Sequence, residues 1–313
     1  MTAPPLLVLG VRRSGTTLLR VMLDRNSELA VPDETYFIPQ LADRHRGAVD
    51  VNAFVDYLRR LPTLREWGVE IGQVRLRLEP GMSVGRAIGA VYETYAAAHW
   101  KRRWGDKTPM YMQQLSMLER LFPDALYLHL IRDGRDCALS FLQLPEGIVT
   151  RSWAYPRDAA GFACQWRSEV RAARALGARA GGRYLEVRYE GLVADPAGTL
   201  ERICAHAGLP YEPEMLDYSA SIDVSRLPHQ QSLTRPPTAG LRDWRNDMTV
   251  HDVRAFEAVA ADVLSELGYE VTGTVTARGR LRRLDYAARV RAWNATGRAV
   301  RRSPLWHRRH PPL

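Results

Sequence analysis

Residues 10–17 read Gly-Val-Arg-Arg-Ser-Gly-Thr-Thr, and this order suits the capture of an anion. The apolar run Leu6-Leu7-Val8-Leu9 precedes them, and a helical pattern of Leu18, Leu19, Val21, Met22 and Leu23 follows. A glycine-bounded loop between a strand and a helix aims backbone N–H groups and the positive end of the helix dipole at one place. Gly10 and Gly15 have the spacing of the nucleoside-triphosphate loop G-x-x-x-x-G-K-[ST], but Thr16 stands where the lysine belongs. Such a loop is built for a phosphate-like group without a triphosphate tail. A second strand–turn–helix junction runs Leu130-Ile131-Arg132-Asp133-Gly134-Arg135-Asp136 and continues to Ser140. It puts a guanidinium at a strand end, where its planar fork of donors fits a phosphate.

The segment Arg13-Ser14-Gly15-Thr16-Thr17-Leu18 resembles the 5′-phosphosulfate loop of sulfotransferases that use 3′-phosphoadenosine 5′-phosphosulfate (PAPS), with Arg12 in place of the usual proline. The resemblance implies that Arg13, Ser14, Gly15, Thr16 and Thr17 hold the phosphosulfate, Arg13 counting among the catalytic groups as well. The second junction resembles the 3′-phosphate site of the same enzymes and implies that role for Arg132 and Ser140, while Arg135 and Asp136 read as a surface ion-pair network. Glu186-Val187-Arg188-Tyr189-Glu190-Gly191-Leu192-Val193 resembles the family's V-R-Y-E-D-L-V segment, with Gly191 at an ordinarily acidic place, and brings Tyr189 to the nucleotide. A late segment, Ser232 to Arg235 followed by Leu241 to Asn246, is similar to the basic loop that closes the nucleotide site. It assigns Ser232 and Arg235 to the cofactor, with Arg242 equally placed.

The reacting groups come from two further segments. Pro32-Asp33-Glu34-Thr35 resembles the acidic pair of protein-tyrosine sulfotransferases, which implies Glu34 as the base that takes the acceptor's proton. Asp33 reads as an electrostatic cap for the next helix. Gly105-Asp106-Lys107-Thr108-Pro109 resembles the family's lysine loop and sets Lys107 against charge growing on the leaving oxygen. Only Lys101 and Lys107 are lysines among 44 basic residues. An ammonium can give up a proton and arginine effectively cannot, so the surviving lysines stand out. The matches run in order through the first 250 residues and are strongest to the branch with protein-tyrosine sulfotransferases and their soluble bacterial-type relatives. They imply sulfuryl transfer from PAPS to a hydroxyl on a carbohydrate, glycolipid, small molecule or tyrosyl group, without a metal. The competing readings are a P-loop phosphotransferase, and a non-enzymatic adaptor held to anionic surfaces by a basic tail.

Elements must hold these groups. Strands are expected near 5–10, 103–106, 125–131 and 184–188, and short helices over 33–61. Longer helical patterns cover 15–25, 83–99, 112–122, 134–142, 159–180, 196–207 and 250–267. Alternating strands and helices make an α/β fold, a P-loop-like parallel sheet with helices on both faces, its ligands at the carboxyl ends of the strands. The segment Leu41 to Gly81 and the loop Leu144 to Pro156 are the expected acceptor lining.

The 313 residues are 46% hydrophobic and 25% charged, enough for one large domain. Cys137, Cys164 and Cys204 are scattered and odd in number, which points to a reducing, cytoplasmic setting. No apolar run approaches a bilayer span, and the first residues do not form a signal peptide. From Arg278 onward, eleven arginines face the single acid Asp285, so this segment carries +10 and the preceding 277 residues −1. The organisation expected is a sulfotransferase domain over 1–277 and an Arg-rich tail over 278–313. Arginine surrounds any helix drawn through that tail, which reads as a solubilising, partly disordered segment or as a peripheral contact with the inner face of an anionic membrane.

Overall fold

A computed structural model of the protein describes residues 3–45, 47–144, 155–218 and 243–301. The expected sheet is present and all its pairings are parallel. Strands β1 (Leu6–Leu9), β2 (Leu29–Ala30), β3 (Arg103–Lys107), β4 (Leu126–Ile131) and β5 (Tyr184–Arg188) stand in the order β2-β3-β1-β4-β5. β1 is central and wholly buried, as its unbroken apolar run requires for a strand covered on both faces. Leu7 and Leu9 enter one apolar core, and Leu6 and Val8 the opposite one.

Helices follow in chain order: α1 (Thr16–Asp24), α2 (Ile38–Arg44), α3 (Val51–Leu58), α4 (Pro62–Glu66), α5 (Ile71–Leu76), α6 (Val84–Ala98) and α7 (Leu115–Leu121). Then come α8 (Gly134–Leu142), α9 (Ala159–Ala180), α10 (Tyr189–Ala194), α11 (Pro196–Ala207), α12 (Trp244–Asp247), α13 (Val250–Glu266) and α14 (Ala277–Arg301). Residues of α2–α7 share the core of Leu7 and Leu9, while α1 and α11 pack on Leu6 and Val8. A third core joins α8, α9, α13 and α14. Ser83, Asp133, Asp158, Asp195 and Thr249 cap α6, α8, α9, α11 and α13 by accepting from backbone N–H groups. α1 differs: it opens on Gly15 at φ 92°, with no side-chain cap.

Several features depart from the expectations. β2 is a two-residue edge strand with no periodicity of its own. The pattern over 112–122 splits into a 3₁₀ turn, Pro109–Gln113, and the shorter α7. Arg135 and Asp136 are not a surface pair. Arg135 is 0% exposed, donates to Asp133 at 2.8 and 3.0 Å, to Glu257 at 2.7 Å and to the Glu270 carbonyl at 2.7 Å, and lies 3.6 Å from the Trp244 ring centre. Asp136 accepts the Trp244 N–H at 2.9 Å. A buried guanidinium needs such pairing to offset its lost hydration, and here it ties α8 to α13.

The arginine-rich segment continues the same architecture as far as it is described. α14 packs on α9 and α13, with Tyr286 buried and Val290 against the third core. A Cβ on Gly279 would lie 1.8 Å from the Ala258 carbonyl oxygen, so only glycine permits this approach. Arg283 bonds the Val259 carbonyl and, at 3.0 Å, Asp262. Residues 277–301 are therefore a docked helix rather than a disordered extension. Among the described residues no helix is long and apolar enough to cross a membrane.

Candidate functional site

The loop after β1 is folded tightly on itself. A Cβ on Gly10 would lie 2.5 Å from Thr16 Cγ2 and 2.8 Å from Ser14 Oγ. The Ser14 hydroxyl and N–H both donate to the Val11 carbonyl, at 2.6 and 3.1 Å, so this side chain shapes the loop. Arg13 holds φ 70°, a left-handed conformation uncommon outside glycine and often kept at functional loops. Its Nε donates to Ser140 Oγ at 2.8 Å, which joins the first junction to the second.

The β4–β5 pairing continues this assembly. Ile131 is in register with Arg188, so the next residues, Arg132 and Tyr189, leave the sheet side by side. The Arg132 guanidinium stacks 4.5 Å over the Tyr189 ring. The other approach to that ring is Gly15, where a Cβ would fall 2.4 Å from Tyr189 Cδ2. Arg132 lies 3.6 Å from Asp136, and its Nε is buried without a hydrogen-bond partner among the described residues. An orphaned donor on a buried guanidinium, next to a glycine cradle and an uncapped helix start, fits an anionic ligand with a flat ring. The structure thus brings Arg13, Ser14, Gly15, Thr16, Arg132, Ser140 and Tyr189 to one edge of the sheet. Ser232, Arg235 and Arg242 lie outside the described residues.

On the other side of β1 the register pairs Val8 with Lys107, so β3 delivers an ammonium to the same edge. Lys107 is 2% exposed, bonds Glu34 Oε1 and donates to Thr17 Oγ1 at 3.3 Å. Lys107 of the neighbouring strand thus stands beside Thr17 at the end of the loop. Tyr36 donates to Glu34 Oε2 at 2.8 Å. Burial pushes the Glu34 carboxyl up, but the Lys107 charge and the bonds from Lys107 and Tyr36 outweigh it and hold the group below the ordinary glutamate value. Burial pulls Lys107 down, with Glu34 opposing. Asp33 does not cap α2, whose N-cap is Phe37; it pairs with Arg20 at 2.7 Å.

The sequence reading missed what fixes Glu34. Its neighbour Thr35 donates its N–H to Thr108 Oγ1 at 3.0 Å, and its hydroxyl meets Tyr111 Oη at 2.6 Å, Tyr92 Oη at 3.1 Å and Asp106 Oδ2 at 3.2 Å. Asp106 Oδ2 also accepts from Tyr92 at 2.7 Å and Thr108 at 3.3 Å. Asp106, beside Lys107 on β3, therefore anchors the Glu34 loop. Arg12 was also missed: it donates to Tyr155 Oη at 2.7 Å and lies 4.8 Å over that ring. Its replacement of the customary proline was the available signal.

Burial pushes Asp106 up to about 6, although its three hydroxyl donors and Lys107 pull the other way. An unfolded aspartate titrates near 3.8, so this group's stabilising contribution is full below that pH and lost as pH rises through about 6. Asp106→Asn keeps an oxygen for the same three donors and removes the charge. Denaturant unfolding from pH 4 to 7 should show the variant gaining about 3 kcal/mol on the wild type across that window. A difference that stays constant with pH would mean that Asp106 does not titrate in this way.

Residues 4–213 match a family model described as the Sulfotransferase family. The nodulation protein NoeE of Sinorhizobium fredii (strain NBRC 101917 / NGR234) is 30% identical over 84% of this chain, which spans 65% of that protein's length. Protein-tyrosine sulfotransferase A of Caenorhabditis elegans is 27% identical over 86% of this chain and 68% of its own length. Among solved structures, the sulfotransferase domain of the Synechococcus PCC 7002 olefin synthase superposes with a TM-score of 0.60. It is 24% identical and covers 87% of this chain and 97% of that domain. The sulfotransferase domain from the curacin biosynthetic pathway gives a TM-score of 0.57 at 20% identity, over 87% of this chain and all of that domain.

Proposed function

The chain belongs to the sulfotransferase family, whose general reaction is PAPS-dependent sulfuryl transfer, and from that premise we propose that it moves the sulfuryl group of PAPS to a hydroxyl acceptor with Glu34 as base and Lys107 at the leaving oxygen. The observation that carries the reading is the Arg13–Ser140 bond, which joins the loop assigned to phosphosulfate with the helix assigned to the 3′-phosphate. When bound, PAPS supplies the activated sulfuryl group. Gly15, Thr16 and Thr17 at the uncapped start of α1 face its anionic 5′ end, with Ser14 holding the loop's shape and Arg13 adding charge. Arg132 and Ser140 take the 3′-phosphate, and Tyr189 packs beside the nucleotide. Ser232 and Arg235, or Arg242 in place of Arg235, belong to the same assignment.

The chain's own residues account for the proton and the charge. Glu34 is a carboxylate at neutral pH, as a base must be, but its ion pair with Lys107 weakens its basicity. Lys107 also reaches Thr17 Oγ1, and were it drawn further toward the anion site, Glu34 would be left to accept the proton of the acceptor O–H. Lys107 then stabilises the charge that develops on the departing oxygen. The acceptor classes remain carbohydrate, glycolipid, small molecule or tyrosyl.

Titration with 3′-phosphoadenosine 5′-phosphate (PAP) and with ATP separates the readings: PAP preferred supports this one, ATP preferred indicates a phosphotransferase, and neither bound indicates an adaptor. The assignment of Arg132 has a sharper test. Arg132→Ala should weaken PAP by about 1.5–3 kcal/mol, the usual value of a charge-assisted bond, and leave adenosine 5′-phosphosulfate, which has no 3′-phosphate, little changed. Equal losses for the two ligands would remove Arg132 from the 3′ site.

A further inference from the structure

A cleft opens beside Arg12; of the two expected acceptor segments, Tyr155 of Leu144 to Pro156 lines it and Leu41 to Gly81 contributes nothing. One wall is Met110 and Tyr155; another is α14, through Tyr286, Val290 and Trp293. Glu169 of α9 also lines it and is 4% exposed. Glu169 Oε1 accepts from Gln113 at 3.2 Å and from Gln165 at 2.9 Å, whereas Oε2 is buried with no partner among the described residues. A buried carboxylate oxygen without a donor is costly unless a ligand completes it. Burial pushes Glu169 up to about 7, against Gln113, Gln165 and the Arg12 charge. Arg12 lines the cleft and directly precedes Arg13 in the phosphate loop, so the cleft opens beside that loop.

We propose that this cleft is the acceptor site, that α14 forms one of its walls, and that Glu169 selects acceptors carrying a second hydroxyl on a ring-sized apolar body. This rests on the sulfuryl-transfer reading. Aromatic and apolar walls suit the body, and Oε2 accepts from the distal hydroxyl. An ammonium in that place would meet the positive field of Arg12, so a neutral donor is the better fit. A site built around a hydroxyl rejects the analogue lacking it, because its own polar atom is then left unpaired.

The test uses the PAP-loaded full chain and two probes of nearly equal shape, 4-hydroxybenzyl alcohol and p-cresol, titrated by calorimetry. The alcohol should bind at least about tenfold tighter than p-cresol. Glu169→Gln leaves an amide oxygen for Gln113 and Gln165 and turns the partnerless Oε2 position into an N–H donor. The alcohol's advantage should then fall to less than about threefold, because bonds to a charged group are the stronger kind. Val290→Trp fills the cleft from a partly buried position and should abolish binding of both probes while PAP affinity stays within about twofold, since Val290 lies outside the nucleotide assembly. Equal affinities of the two probes, no binding of the alcohol at millimolar concentration, or unchanged probe binding by Val290→Trp would each overturn the proposal. Failure of PAP to bind the wild type would instead overturn the reading on which it rests.

Discussion

Replacing Glu34 by glutamine should lower kcat by about 10²- to 10⁴-fold, the span typical of a lost general base. Glutamine keeps the shape and the bond to Tyr36 but cannot take a proton. Affinity for PAP should stay the same or tighten slightly, for a specific reason. Lys107 is paired with Glu34, and the substitution releases it toward the anion site. The change would thus separate turnover from nucleotide binding in opposite directions. The measurements are single-turnover sulfate transfer at saturating PAPS and a PAP titration on the same preparation. Near-normal turnover would leave Glu34 as no more than the counter-ion of Lys107.

Changing Lys107 should cost at least about 10²-fold in kcat, the effect of removing one transition-state donor, and the arginine variant should be no better than the alanine variant. In a chain with so few lysines, the conservative exchange would ordinarily be harmless. Here the side chain is closed in between Glu34 and Thr17, so a larger planar guanidinium has to displace one of them. Arginine also holds its proton at every working pH. Thermal melting and PAP binding on both variants distinguish a catalytic loss from a folding loss. An arginine variant that turns over at most of the wild-type rate would reduce Lys107 to an electrostatic binder.

Much of this site was legible because its parts are local. The loop from Gly10 to Thr17, the junction at Arg132 and the strand leading to Tyr189 each place a motif at the end of an apolar run, and strand periodicity is strong there. What escaped detection depends on partners far apart in sequence. Arg135 could not be recognised as buried without Glu257 beside it, and Asp106 could not be seen to hold the Glu34 loop until Tyr92, Thr35 and Thr108 converged on it. β2 is too short to show alternation. In α14 the signal was present but masked: Tyr286, Val290 and Trp293 lie four and three residues apart, one face of a helix, amid arginines that dominate the composition.

The central position of β1 has a consequence for how the chain reaches this state. Its hydrogen-bonding neighbours, β3 and β4, are both translated after the whole of residues 10–102. The anion loop therefore leaves the ribosome before the strands that shape it and acquires its form late, since parallel pairing across such separations must close long loops first. Until then Leu6 to Leu9 is an unpaired apolar edge, the kind of segment that recruits chaperones or aggregates. Once the strands pair, any ligand that binds the folded protein and not the unfolded chain shifts the equilibrium by mass action toward the finished protein.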